Sequence, residues 1–291
     1  MPLSVNRISL TLNPQAEATS AMRWSYFWKA TAVITAVALT ALAAFAVGWT
    51  ALFLEEHLSI VTLMSLFSIP PSYQIFSHLW ARGAVRDKQA RIAGKVAQHW
   101  LALTGTKLKE VCDSNKIDIP KNDTDVYRRA YAEFLYQGQK VGRNKEKIES
   151  LKKDFSATAS EPVDLLVNGK TQKVSPKSYT IAMANSTSPV FKAITSERAK
   201  LLEYEKKLVV SKFNQAHLLY FMQNSESKKR FTDVATPRFP DLSTQELARK
   251  FGDPSTDVCL QTKQKNYTYQ QIMDADIQTL TKEIFSGTGT E

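Results

Sequence analysis

Residues 30 to 54 read ATAVITAVALTALAAFAVGWTALFL, 25 positions without a charge, and they decide the fold. At about 1.5 Å per residue a helix of this length exceeds the ~30 Å hydrocarbon layer of a bilayer. Glu55, Glu56 and His57 follow, and then a second apolar stretch, LSIVTLMSLFSIPPSYQIFSHLW at 58 to 80, which contains Pro70-Pro71 and ends in a mixed tail with Tyr73, Gln74 and His78. Three intervening residues leave room for a tight turn and for no domain. The expected N-terminal structure is therefore a two-helix membrane hairpin whose second member either spans with a kink or enters and turns back. Trp24, Tyr26, Phe27 and Trp28, then Trp49, then Tyr73 and Trp80 fall where aromatic side chains mark membrane-water boundaries.

Charge sharpens this reading. The chain carries 38 Lys+Arg against 28 Asp+Glu, a net charge of +10. Three basic residues (Arg7, Arg23, Lys29) balance three acidic ones (Glu17, Glu55, Glu56) up to residue 81, so the whole excess lies from Arg82 onward. This distribution excludes an ordinary single-domain soluble protein, a disulfide-built miniprotein and a wholly disordered chain. Arg23 and Lys29 flank the entry to the apolar block, and Arg82, Arg86, Lys88, Arg91 and Lys95 flank its exit. Under the positive-inside rule both termini face the cytosol, and the five exit cations meet a bilayer surface with anionic head groups. A cleaved signal peptide, with Ala44-Phe45-Ala46 as its cleavage site, is the competing reading. The long stretch from Met1 to Lys29 ahead of the apolar run, and the length of the run itself, favour the anchor.

Small and hydroxylated residues pattern the two apolar segments. Ala32, Ala36, Thr40, Ala44 and Gly48 recur every four positions, and Ser59, Thr62, Ser65 and Ser68 every three. Such faces let helices approach closely, either within one hairpin or between copies of the chain in an oligomer or pore.

The segment from Met1 to Ala21, rich in Ser, Thr, Asn and Ala, lacks periodicity and reads as unstructured. A basic helix is expected from Arg82 to about Val111, and a turn-rich linker with Pro120 follows. Asp123 caps a helix bearing Val126, Tyr127, Ala130, Tyr131, Phe134 and Leu135, which fades into the lysine-rich stretch 138–153. Val163 to Val167 and Lys170 to Val174, joined by Asn168-Gly169, form a β-hairpin signal, because Asn-Gly supplies the two positive φ angles of a type I′ turn. Ser188-Pro189 opens the longest helix, with Phe191, Ile194, Leu201, Leu208 and Phe213 on a stripe that suits a bundle or coiled-coil partner. Arg198 and Glu205 interrupt that stripe. Beyond a connector with Pro237 and Pro240, Ser243 and Glu246 form a capping box for a short helix ending at Gly252, and a last helix spans about Tyr267 to Phe285.

Catalytic chemistry does not assemble from the motifs. Gly169-Lys170-Thr171 imitates a phosphate-binding loop, but Asp164 stands where the pattern needs glycine. His57, His78, His99 and His217 are isolated, and Cys112 and Cys259 lie far apart without a ligand partner, so two separate thiols are expected and no metal or cofactor. The basic excess is interleaved with 25 acidic residues and carries no nucleic-acid motif, so an anionic membrane surface or an acidic protein partner accounts for it better than nucleic acid.

Two apolar lobes, Ala30 to Leu54 and Leu58 to about Ile75, joined by a minimal turn, behind a Ser/Thr-rich start and ahead of a long helical region, resemble the chlamydial inclusion membrane proteins. The resemblance implies a type III secreted protein with both termini in host cytosol, whose helical part recruits or tethers a host protein. It carries over no site residue.

The expected fold is thus mainly α, with four parts: an unstructured segment 1–23, a membrane hairpin 24–81, a basic juxtamembrane helix 82–112, and a cytosol-facing, mainly helical domain 113–291 with a small β-hairpin. The expected function is non-enzymatic: a membrane-anchored tether that presents the stripe of Phe191, Ile194, Leu201, Leu208 and Phe213 to a protein partner. The alternative is an oligomeric pore-forming or secretion-machine subunit assembled through the small-residue ridge.

Overall fold

A computed structural model describes residues 13–53, 58–119, 124–158, 163–167, 170–174, 189–224, 258–261 and 265–285. These residues are mainly helical and divide into two compact units, one comprising the first two helices and ending at Ala102, the other running from Leu103 onward. The expected turn at 55–57, the caps at Asp123 and Ser188, the Asn168-Gly169 turn, the Pro237–Pro240 connector and the capping box at Ser243 and Glu246 lie outside the described residues.

Helix α1 spans Pro14–Phe53 and is the one helix among the described residues long and apolar enough to cross a membrane. A signal sequence near an N-terminus would satisfy the same length and composition. Its start corrects the expectation of an unstructured segment to residue 23. Asn13 caps the helix, its Oδ1 accepting the Gln15 and Ala16 amides at 3.0 and 3.2 Å, and Pro14 sits at the first helical position, where its missing N–H removes no bond. Glu17 adds a carboxylate to the first turn.

Helix α2 spans Leu58–Ala102 without interruption, through Pro70-Pro71 and the first cationic cluster. The prolines delete two helical hydrogen bonds, yet the φ their rings impose is itself helical, so the element continues. Residues 82–102 are therefore the far half of α2 and not a separate juxtamembrane helix. The break comes at Leu103-Thr104, and the short α3, Gly105–Ser114, belongs to the second unit.

Within the first unit α1 and α2 pack along a seam of small residues. Ala21, Ser25 and Ala32 on α1 and Gly83, Ala90, Ala93 and Ala97 on α2 are all buried. A Cβ at Gly83 would lie 2.8 Å from Cγ of Lys29 and 3.3 Å from the Ser25 carbonyl oxygen, so only glycine permits the approach there. The seam explains why the four-residue ridge expected on α1 does not run along it. At about 100° per residue each step of four precesses by about 40°. Ala32 is fully buried and Ala36 half-buried, while Thr40, Ala44 and Gly48 have turned to the exposed side.

The second unit is built on α4, Thr124–Thr158, and α5, Pro189–Gln223. The two run antiparallel, with Tyr127 stacked on Phe221 at 6.1 Å at one end and Ile148 packed with Leu201 and Leu208 at the other. Between them Gln215 donates to the Phe134 carbonyl at 3.2 Å, and a Cβ at Gly138 would lie 2.7 Å from its amide nitrogen. Helix α4 does not fade at Gly138. Buried Ile148 and half-buried Leu151 hold its lysine-rich half on α5. The hairpin strands β1, Val163–Val167, and β2, Lys170–Val174, pair antiparallel with Val167 opposite Lys170.

The C-terminal region departs from the single helix expected. Val258–Gln261 (β3) pairs antiparallel with Asn266–Thr268 (β4), and the chain then forms two short helices, α6 (Tyr269–Asp274) and α7 (Ile277–Phe285). A reciprocal capping box starts α6, with the Gln271 amide donating to Thr268 Oγ1 at 3.2 Å and the Thr268 amide to Gln271 Oε1 at 3.0 Å. Asp276 caps α7 by accepting the Thr279 amide at 2.9 Å. At the break, Lys212 of α5 donates its buried ammonium to the carbonyls of Ile272 (3.0 Å), Met273 and Ala275 (2.8 Å), which the end of α6 leaves without helical donors. Leu202, Val209, Phe213 and Ala216 of α5 meet Tyr269, Ile272, Leu280, Ile284 and Phe285 in one core.

Candidate functional site

The boundary between the uncharged and the charged parts of the α1–α2 unit carries a cluster of aromatic and charged side chains. On α1, Trp24, Phe27 and Trp28 form a cluster, with Trp24 edge-on to Phe27 at 5.5 Å and roughly parallel to Trp28 at 6.5 Å. On α2, Phe76 stacks on Trp80 at 5.6 Å. Tyr26, Phe27 and Tyr73 expose more than half of their surface. The two groups lie at one level, because each helix lends a cation to the other's tryptophan. Lys29 of α1 sits 5.9 Å from the Trp80 ring centre, and Arg82 of α2 sits 5.2 Å from that of Trp28.

An ion network completes the girdle. Asp87, the only acidic residue of α2, stands 3.7 Å from Lys29 and 3.0 Å from Arg91. Lys29 is thus engaged by Trp80 and Asp87, whereas Arg82 is an exposed residue whose guanidinium lies beside Trp28. All five cations expected at a membrane surface, Arg82, Arg86, Lys88, Arg91 and Lys95, are exposed. They are not equivalent. At about 100° per residue Lys88, Arg91 and Lys95 share the outer face of α2, opposite Gly83, Ala90 and Ala97, while Arg82 and Arg86 lie one turn apart on the flank next to α1.

Beyond the girdle α1 shows an apolar exterior. Val33, Ile34, Val37, Leu42 and Phe45 are each 48 to 68% exposed, and only 6% of the most apolar stretch of the helix is buried. Hydroxyls on this helix are satisfied internally, with Thr31 donating to the Phe27 carbonyl and Thr40 to that of Ala36, both at 2.8 Å. Ser59, Thr62, Ser65 and Ser68 fall within α2. Their side chains, like that of Trp49, lie outside the described residues.

The stripe of α5 expected to face a partner is used within the chain. Leu201 and Leu208 are 2% exposed and Phe213 1%. Leu201 and Leu208 pack against Ile148 of α4, and Phe213 packs against Phe285 of α7. Glu205, which interrupts the stripe, is fully buried too. The apolar periodicity was real, but α4, α6 and α7 cover it on two sides, which sequence spacing alone cannot assign. The side chains of Phe191 and Ile194 lie outside the described residues.

Two further buried titratable groups lie apart from one another, His217 on α5 and Cys112 on α3. His217 stacks on Phe285 at 5.5 Å and 17° and lies 6.2 Å from Phe213, and burial pushes its pKa down to about 4. Cys112 is a free buried thiol, pushed up by burial and by nearby Asp113. The side chain of Cys259 is not among those described. Among the described residues no three His, Cys, Asp or Glu side chains stand together as a metal site. No protein-family model, no curated protein and no solved structure matches this chain.

Proposed function

We propose that the chain is a membrane-anchored interaction or tethering protein, in which α1 and α2 form a hairpin across a bilayer and the second unit is presented to a protein partner at the cytosolic face. The observation that carries this reading is the exterior of α1, where large apolar side chains stand exposed on a charge-free segment that ends at an aromatic and cationic girdle. In water such a surface favours association, and in a bilayer it is the ordinary outer face of a spanning helix. The geometry supports the hairpin. From the Trp28–Arg82 contact, α1 runs about 38 Å to Phe53 and α2 starts about 36 Å away at Leu58, and four residues join those ends. The cations at its base support an orientation with both termini on the cytosolic side.

Burial of the α5 stripe moves the partner surface elsewhere on the second unit. The test uses the full chain in cells. A cysteine placed at exposed Gln270 is expected to react with a membrane-impermeant maleimide from the cytosolic side only, and photo-crosslinkers on exposed positions of the second unit are expected to capture a partner. Labelling from the opposite side, release of the chain by alkaline extraction, or capture of no partner from intact cells each rejects the reading. A second reading, an oligomeric pore or secretion-machine subunit, draws support from the exposure of Thr40, Ala44 and Gly48, which leaves that ridge open to another copy. Ala44→Leu is expected to abolish oligomers under it.

A further inference from the structure

The five exit cations differ in height and in engagement, and this separates a lipid site from a stalk. Along α2, at about 1.5 Å per residue, Arg82 and Arg86 lie about 3 and 9 Å beyond Trp80, whereas Arg91 and Lys95 lie about 16 and 22 Å beyond it. With Trp80 at the hydrocarbon boundary, the head-group layer on one side is about 5 to 8 Å deep. Arg82 lies within it and Arg86 at its outer edge, whereas Lys88, at about 12 Å, Arg91 and Lys95 stand more than a Debye length of roughly 8 to 10 Å above the boundary. Lys29, at the right depth, is occupied by Asp87 and Trp80, and Arg91 is occupied by Asp87. Arg82 lies over Trp28 across the seam and is exposed, a placement that holds its planar guanidinium at the level of the tryptophans. Arg86 is one turn higher on the same flank, with Nη1 donating to Gln89 Oε1 at 3.0 Å and the rest of its fork open.

We propose that Arg82 and Arg86, braced at the α1–α2 seam by Trp28, bind the phosphate of an anionic lipid head group, and that Lys88, Arg91 and Lys95 belong to a stalk that does not share in this contact. A guanidinium pair suits a phosphodiester, since each fork can donate two parallel hydrogen bonds to its oxygens, and it favours a head group whose negative charge is not cancelled by a choline ammonium. The proposal rests on the membrane-hairpin reading, and the test separates the two. The full chain is reconstituted into phosphatidylcholine vesicles containing phosphatidylserine. Quenching of tryptophan fluorescence by brominated acyl chains reports insertion, and energy transfer from tryptophan to a dansyl-phosphatidylserine, relative to dansyl-phosphatidylcholine, reports enrichment of the anionic lipid around the protein. Wild type is expected to be quenched and to enrich the anionic probe. Arg82→Gln with Arg86→Gln is expected to remain quenched and lose the enrichment, about tenfold in preference, whereas Lys88→Gln with Arg91→Gln and Lys95→Gln is expected to keep it. Enrichment lost equally in both variants, lost only in the triple variant, or absent from wild type overturns the lipid site while quenching persists. Absence of quenching overturns the hairpin reading itself.

Discussion

Mild acid is expected to loosen the junction of α5 with α7 through His217. Its ring packs face to face with Phe285 and beside Phe213, and burial lowers its pKa from 6.5 to about 4. Between those two values the unfolded chain binds a proton at His217 that the folded chain does not, so stability rises with pH across that window. The full contribution is present above pH 6.5 and is lost progressively as pH falls toward 4. At pH 5 the gap below the unfolded pKa is about 1.5 pH units, which at about 1.36 kcal/mol per unit costs about 2 kcal/mol, and the loss levels off near about 3 kcal/mol at pH 4. The assay is urea unfolding of the full chain in neutral detergent micelles at pH 7 and pH 5, for wild type and His217→Leu. Carboxylates titrate in both proteins, so the difference between their pH responses isolates the imidazole. His217→Leu is expected to be less stable at pH 7, because it loses the ring contacts. On acidification it is expected to lose about 2 kcal/mol less than wild type, the share that belongs to the imidazole. Parallel pH responses of the two proteins would refute the assignment of a buried, neutral imidazole.

Three further perturbations follow from the geometry. Lys212→Met removes the donor shared by three carbonyls at the end of α6, and a loss of about 2 to 4 kcal/mol is expected, read as faster hydrogen exchange in Tyr269–Phe285 before the rest of the second unit. Gly83→Leu drives a side chain into Lys29 and the Ser25 carbonyl, and the overpacking is expected to cost about 1 to 3 kcal/mol and to raise exchange along residues 21–32 in micelles while α4 and α5 keep their protection. Lys116 holds φ at 56°, just past the end of α3, so Lys116→Gly is expected to stabilise the second unit by about 0.5 to 1 kcal/mol, visible as a higher urea midpoint.

Sequence made α1, the first half of α4 and α5 legible, because each is written in local periodicity and net charge, although α1 and α2 are both longer than α5, which was expected to be the longest. The β1–β2 register was legible for the same reason, since the strands pair with Val167 opposite Lys170 as the two-residue spacing between them requires. The start of α1 was equally local, in Asn13-Pro14 and Glu17, but low periodicity around it hid the cap. What spacing could not supply was which surface covers which. The stripe of Leu201, Leu208 and Phe213 has the same pattern whether a foreign helix or the chain's own α4 and α7 lies against it. The break between α6 and α7 depends on Lys212, 60 residues before Ile272, and no window over the C-terminal segment contains it. Strands β3 and β4, of four and three residues, are too short to carry an alternation signal. At the girdle the aromatic positions were readable, but the exchange of cations between Trp28 and Trp80 needs two helices side by side.

The seam between α1 and α2 also says where the chain can be cut. Gly83, Ala90, Ala93 and Ala97 lie in the cationic half of α2, so the pairing of the two helices extends past the apolar block into charged sequence. A fragment beginning at Arg82, where composition turns polar, would carry the far half of α2 stripped of α1, with a stripe of alanines open to self-association. Cleavage between Ala102 and Gly105 instead keeps α1 together with α2 and α3 together with the helices that follow it. The boundary of composition and the boundary of folding are thus separated by about six turns of one helix.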